Sequence, residues 1–235
     1  MNDGGLPHPT GTCDGQPPWA FGFALVLGVL VLFLVPALRA GFGYDDRAVI
    51  HENPLVTGSV SGWEAWSRDF WHSAGDAGLY RPLVTLSLRA QADSPDPHPR
   101  PFHLVNLALH AYVVLLALCV WFPRGSLGWG GVVGLLLFAW HPVQTEVALW
   151  IPGRSSSLAA WLGLLGMWAW LRSGSRWRPA WAFLGVLGPL LVKEDGLAFA
   201  AWFAVMGSKR DRGALLLALG TYLGMRWHAL GPHGW

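Results

Sequence analysis

The chain has 235 residues, of which 53 % are hydrophobic and only 13 % charged, with a formal net charge of +2. That charge content is about half the ~25 % of ordinary soluble domains. Together with 16 Trp and a mean hydropathy of +0.37, it excludes a disordered chain, a nucleic-acid binder and an ordinary soluble domain. Low charge with abundant Trp is what bilayer interfaces select, so the composition points to a multi-pass integral membrane protein.

Residues 1–18 hold two acids and no Lys or Arg. They lack the basic start of a signal peptide and read as a disordered N-terminal tail. Trp19–Ala40 carries no charge before Arg39 and predicts a retained first spanning helix. A polar loop follows, Gly41 to Arg100. Within it, Trp63–Trp71 predicts a short interfacial amphipathic helix with Trp63, Trp66, Phe70 and Trp71 along one side. Tyr80–Ala90 is a second candidate, and Ser94–Pro101, with four prolines, predicts a turn. Further apolar runs are Phe102–Phe122, Leu127–Trp140, Leu158–Leu171, Ala180–Val192, Leu197–Met206 and Ala214–Trp227. Several fall short of the ~20 residues of a simple span, which is tolerated where neighbours bury the ends or a cavity is lined. The expectation is an all-α transmembrane bundle of about seven helices spanning residues 19–230, with the 41–100 loop on the outward side. A single kinked segment after Trp181 is the alternative to the two runs there. Cys13 and Cys119 read as unrelated thiols.

Let the first helix run outward from the cytoplasm. The short inward loops then carry Arg124, Arg172, Arg176, Arg178, Lys209, Arg210 and Arg212, against Arg154 and Lys193 in the short outward loops. Seven against two fits the positive-inside rule. Eleven of the 14 acids then face outward, among them Asp76, Asp93 and Asp96 of the long loop. Three polar clusters meet on that side at helix ends: Tyr44-Asp45-Asp46, His141 to Glu146, and Lys193-Glu194-Asp195. Ionisable groups at membrane boundaries are costly to place and mark candidate sites.

Asp45 and Asp46 can supply a general base toward a hydroxyl, hold a divalent cation through oxygen ligands, or help to end a helix. Arg81, Arg154 and Lys193 can bind an anionic donor or anchor to lipid headgroups. His103, Asn106 and His110 form one polar stripe on the second helix, either a hydrogen-bonded stripe or a metal site.

Taken in order, several of these segments resemble one family. They are Phe42-Gly43-Tyr44-Asp45-Asp46, Asn53-Pro54, Tyr80-Arg81-Pro82-Leu83, and Phe102-His103-Leu104-Val105-Asn106 with His110. His141-Pro142-Val143-Gln144-Thr145-Glu146 with Gly153-Arg154, and Lys193-Glu194-Asp195-Gly196, continue the series. The chain resembles the N-terminal part of the TPR-containing O-mannosyltransferases and their bacterial relatives, of the GT-C class. The resemblance implies an inverting membrane glycosyltransferase. It would move a sugar, most simply mannose, from a polyprenyl- or dolichyl-phosphate donor to a hydroxyl acceptor such as protein Ser or Thr, or a glycan. By position, Asp45 matches the catalytic base, with Asp46 its neighbour. Arg81, His141, Glu146, Arg154, Lys193 and Glu194 are the expected donor-phosphate or substrate residues. No cofactor follows with certainty beyond a divalent cation at Asp45 and Asp46. The active face would be non-cytoplasmic, at the plasma membrane of a bacterium or the endoplasmic reticulum of a eukaryote. Family members continue with more helices and a TPR domain, so the module is expected to be incomplete at its C-terminal end. A non-catalytic relative, or one half of a split assembly, therefore stays open beside the enzyme.

Overall fold

A computed structural model describes residues 18–71, 77–92, 97–122 and 128–234 of the chain. Cys13, Asp76, Asp93, Asp96, Arg124 and all but the last residue of the 1–18 tail fall outside them. The described residues are helical, with no strand among them. The longer helices are α1 (Pro18–Arg39), α4 (Pro99–Trp121), α5 (Trp129–Trp140), α7 (Arg154–Arg172), α8 (Arg178–Leu190), α9 (Leu197–Met206) and α10 (Lys209–Leu230). Short helices α2 (Pro54–Thr57) and α3 (Pro82–Arg89) lie between α1 and α4, and α6 (Gln144–Ala148) follows α5.

All seven apolar runs of the sequence are helical. Two of these helices, α1 and α4, are long and apolar enough to cross a membrane. At 22 residues, α1 is about 33 Å long. Only 28 % of its apolar window is buried against the rest of the chain, unlike the core helix of a soluble protein. α5 is apolar but shorter, and α9, at 10 residues, reaches only about 15 Å. α8 and α9 are separate helices joined by the turn Glu194–Gly196, which decides against one kinked segment.

Pro179 opens α8 and its ring removes no needed hydrogen bond there. Ser208 and Asp211 close a capping box that starts α10. α7 packs on α8 through glycine: a Cβ on Gly166 would overlap the Cα of Gly185, a backbone atom that cannot swing away, so glycine is required there.

The described residues of the 41–100 loop fold as a cap over one end of the bundle. Arg89 donates to the carbonyls of Leu55 (2.8 Å) and Val60 (2.7 Å), and Asn53 caps α2 at the Leu55 N–H. Beneath the cap lies a hydrophobic cluster that includes Val49, Ile50, Phe70, Val84, Phe102 and Val192. The helix expected over Trp63–Trp71 is not continuous. One 3-10 turn, Gly62–Trp66, forms, and then Asp69 accepts from the Trp71 and Leu79 N–H groups, both at 2.6 Å. A side chain that takes backbone donors in this way competes with helix propagation. Phe70 is buried and Trp63 is 80 % exposed, so the four aromatic residues do not share one side.

Candidate functional site

The three polar clusters come to the same end of the bundle, and α4 ties the first two together. Asparagine and histidine within an apolar helix must find partners inside the protein. Accordingly, His103 bonds the carbonyl of Leu149 through Nδ1 (2.6 Å) and that of Gly41 through Nε2 (3.2 Å). Asn106 Nδ2 donates to the carbonyls of Trp150 (2.8 Å) and Ile151 (3.3 Å), and His110 Nε2 bonds the carbonyl of Ala139 at 3.0 Å. The stripe thus pins the end of α1 and the α5–α7 connection to α4.

The acidic pair divides into two environments. Asp45 is half-buried, and the neighbouring Tyr44 is 97 % exposed. Asp46 is 1 % exposed, its Oδ2 accepts the Gly43 N–H at 2.5 Å, and its buried Oδ1 has no hydrogen-bond partner. Burial pushes the Asp46 carboxyl above its ordinary 3.8, against the opposing pull of the Gly43 N–H and of His103 and His51. Beside the pair, Phe42, Gly43, Tyr44, Arg47 and His51 line an open cavity of about 480 Å³. Arg47 pairs with Glu52 at 2.7 Å on its solvent side. Among the described residues, no three His, Cys, Asp or Glu side chains group as metal ligands. The pair therefore gains no third side-chain ligand among the described residues.

A second, cationic group lies over the same hydrophobic cluster. Arg81 NH2 meets Glu194 Oε2 at 3.0 Å, and Arg226 NH1 meets Glu194 Oε1 at 3.3 Å. Arg81 stacks 5.8 Å above the Phe70 ring. Lys193 Nζ donates to Ser156 Oγ (3.0 Å) and pairs with Asp195 (2.9 Å). The Tyr80 hydroxyl donates to the Trp66 carbonyl at 3.1 Å, and burial pushes its pKa up to about 12, so it stays neutral at physiological pH.

Three expected residues sit elsewhere. Arg154 is fully buried and does not reach a rim: Nε donates to Asn106 Oδ1 (2.8 Å), NH1 to the Ser87 carbonyl (3.2 Å) and NH2 to the Phe102 carbonyl (3.0 Å). It is a strut under the cap, because its short path from α7 leads inward between α3 and α4. His141 and Glu146 are exposed at the α5–α6 turn, where His141 Nδ1 accepts the Val143 N–H at 3.2 Å. They do not line the cavity beside Asp45. Sequence reasoning missed Arg226, although a lone arginine inside the apolar run 214–227 was the available signal.

No family model matches the chain, and no solved structure does. Among curated proteins, Protein O-mannosyl-transferase Tmtc2 of Drosophila melanogaster is 37 % identical over 196 residues, covering 75 % of this chain and 20 % of that protein. Protein O-mannosyl-transferase TMTC1 of Mus musculus is 37 % identical over 160 residues, covering 64 % and 17 %. Protein O-mannosyl-transferase TMTC4 of Mus musculus is 30 % identical over 225 residues, covering 80 % and 29 %. The chain spans about a fifth of the length of the first of these relatives, and over most of its own length it is similar to the TMTC protein O-mannosyl-transferases.

Proposed function

We propose that this chain is the glycosyl-transfer module of a multi-pass membrane mannosyltransferase of the GT-C class. It would take mannose from a polyprenyl-phosphate donor and give it to a hydroxyl of a protein acceptor, on the non-cytoplasmic side of the membrane. The observation that carries the reading is one of placement. The half-exposed carboxylate of Asp45 and the cations Arg81 and Lys193 stand around one hydrophobic cluster at the same end of the bundle: Asp45 on the turn into Val49 and Ile50, Arg81 over Phe70 and Lys193 next to Val192, with Arg226 joined to Arg81 through Glu194. Similarity to the TMTC proteins, named protein O-mannosyl-transferases, supports it. Exposed apolar side chains such as Phe23 and Val31 on α1, Val205 on α9 and Leu216 on α10 suit contact with lipid along the bundle.

In this reading Asp45 takes the proton of the acceptor hydroxyl as its oxygen attacks the anomeric carbon. The bond from that carbon to the donor phosphate breaks, and the electron pair leaves with the phosphate. The leaving group needs no proton, so a single base suffices. Arg81 and Lys193 balance the charge that develops on the departing phosphate. Attack opposite the leaving group inverts the sugar. Asp46, buried and bonded to the Gly43 N–H, holds the turn that presents Asp45. Arg154 and the α4 stripe keep the cap seated.

The test is transfer of labelled mannose from a polyprenyl-phosphate donor to an acceptor peptide by membranes containing this chain. Asp45→Asn keeps size and hydrogen bonding but removes the proton acceptor. Transfer should fall ~10²–10⁴-fold while donor binding persists. Equal transfer by the variant refutes Asp45 as base. Donor binding absent from the unaltered chain favours the non-catalytic reading.

A further inference from the structure

Glu194 stands between two guanidinium groups that are each held by something else. Arg226 NH1 also donates to the Tyr222 hydroxyl (3.1 Å) and NH2 to the Gly78 carbonyl (2.8 Å). Arg81 is fixed over the Phe70 ring, and its buried Nε–H meets no acceptor. Glu194 places one oxygen on each guanidinium, as an oxyanion would. Its side chain is 35 % exposed, against 15 % for Arg81 and 14 % for Arg226, so the carboxylate is the outermost member of the three. Both guanidiniums hold the same carboxylate. A partly exposed ion pair holds only weakly and can be exchanged.

We propose that Glu194 is an internal stand-in for phosphate: it occupies the oxyanion position between Arg81 and Arg226, and a phosphate group displaces it. This rests on the reading above that the site takes a phosphate-bearing donor. It goes further in making Arg226 a phosphate ligand and Glu194 a competitor rather than a ligand. Exchange swaps one oxyanion for another between the same guanidiniums. The freed carboxylate swings toward solvent on the single turn Glu194–Gly196. The empty site thus keeps an oxyanion between its two arginines, and a neutral lipid has nothing to exchange.

The experiment measures binding of three probes to the detergent-solubilised full chain: farnesyl phosphate, farnesol and inorganic phosphate. Melting curves check that each variant is folded. Farnesyl phosphate should bind Glu194→Gln about three- to fivefold more tightly than the unaltered chain, because the competing charge is gone. Glu194→Ala, a second variant without the carboxylate, should shift the same way. Arg226→Gln should weaken binding about tenfold or more. Tightening for farnesyl phosphate but not inorganic phosphate assigns a lipid headgroup, and equal tightening assigns free phosphate; both support the exchange. Folded Glu194 variants that bind farnesyl phosphate no better, or worse, overturn it while leaving the donor reading intact. Equal binding of farnesol and farnesyl phosphate, or no binding of either, overturns both.

Discussion

Arg154 offers the sharpest check on the architecture under the site, because charge and geometry predict different outcomes there. Its side chain is completely buried and donates to Asn106 Oδ1 at 2.8 Å and to the carbonyls of Ser87 and Phe102 at 3.2 and 3.0 Å. No carboxylate faces it in these bonds, so its worth lies in three neutral acceptors held by one planar fork. Arg154→Met keeps the apolar stem and withdraws the donor from all three. Stranded acceptors cost about 1–3 kcal/mol each, while removing a buried charge returns several kcal/mol of desolvation. The expected net loss is about 2–4 kcal/mol. Arg154→Lys keeps the charge, but a compact ammonium cannot reach three acceptors spread over a fork. It retains the desolvation cost and loses bonds, for an expected loss of about 3–5 kcal/mol. Thermal unfolding followed by tryptophan fluorescence should show both variants melting roughly 6–12 °C lower, with Lys no better than Met. Asn106→Leu combined with Arg154→Met should show a coupling of about 1–3 kcal/mol in a double-mutant cycle. A Lys variant that melts like the unaltered chain would mean that charge, not the fork, matters, and the strut would be wrong.

Asp46 gives a pH-dependent prediction. Burial raises its carboxyl above 3.8, so the folded state holds that proton more tightly than the unfolded chain does. Stability contributed by this group is therefore present at low pH and lost as pH rises from about 3.8 through the folded-state pKa. Asp46→Asn lacks that loss, so its melting temperature relative to the unaltered chain should climb across that window and then level; a flat difference from about pH 3.5 to about pH 8 refutes the burial argument. Sidedness is checked by labelling Ser59→Cys and Ser175→Cys, both exposed, in a background with Cys13 and Cys119 replaced. They should label from opposite faces of the membrane, Ser59→Cys from outside; labelling of both from one face refutes the proposed topology.

Much of the helix pattern was legible because it is local. Hydrophobic runs bounded by glycine, proline and charge mark where a helix buries its backbone groups, and α1, α4 and the five later helices follow those runs. That polar clusters meet at one end was legible too, since alternate helix ends in a bundle must share a side. The Trp63–Trp71 segment was misread because aromatic spacing says nothing of Asp69, whose carboxylate takes the Trp71 and Leu79 N–H groups and turns the chain.

Sequence by itself determined an apolar, helical chain with its acids gathered in the segments between apolar runs. Tertiary structure decided which charges work together. Arg81, Glu194 and Arg226 meet across sequence separations of 113 and 32 residues, and only the packing of the start of α3 and of α10 on the turn after α8 brings them within 3.3 Å. Arg154, at the start of α7, and Lys193, just past the end of α8, carry the same charge, and their fates differ because one side chain points between α3 and α4 while the other reaches the partly exposed Ser156 on α7. Spacing along a chain fixes which face of a helix a residue occupies. What that face meets depends on how the helices pack, and there the physics of burial sorts a strut from a ligand.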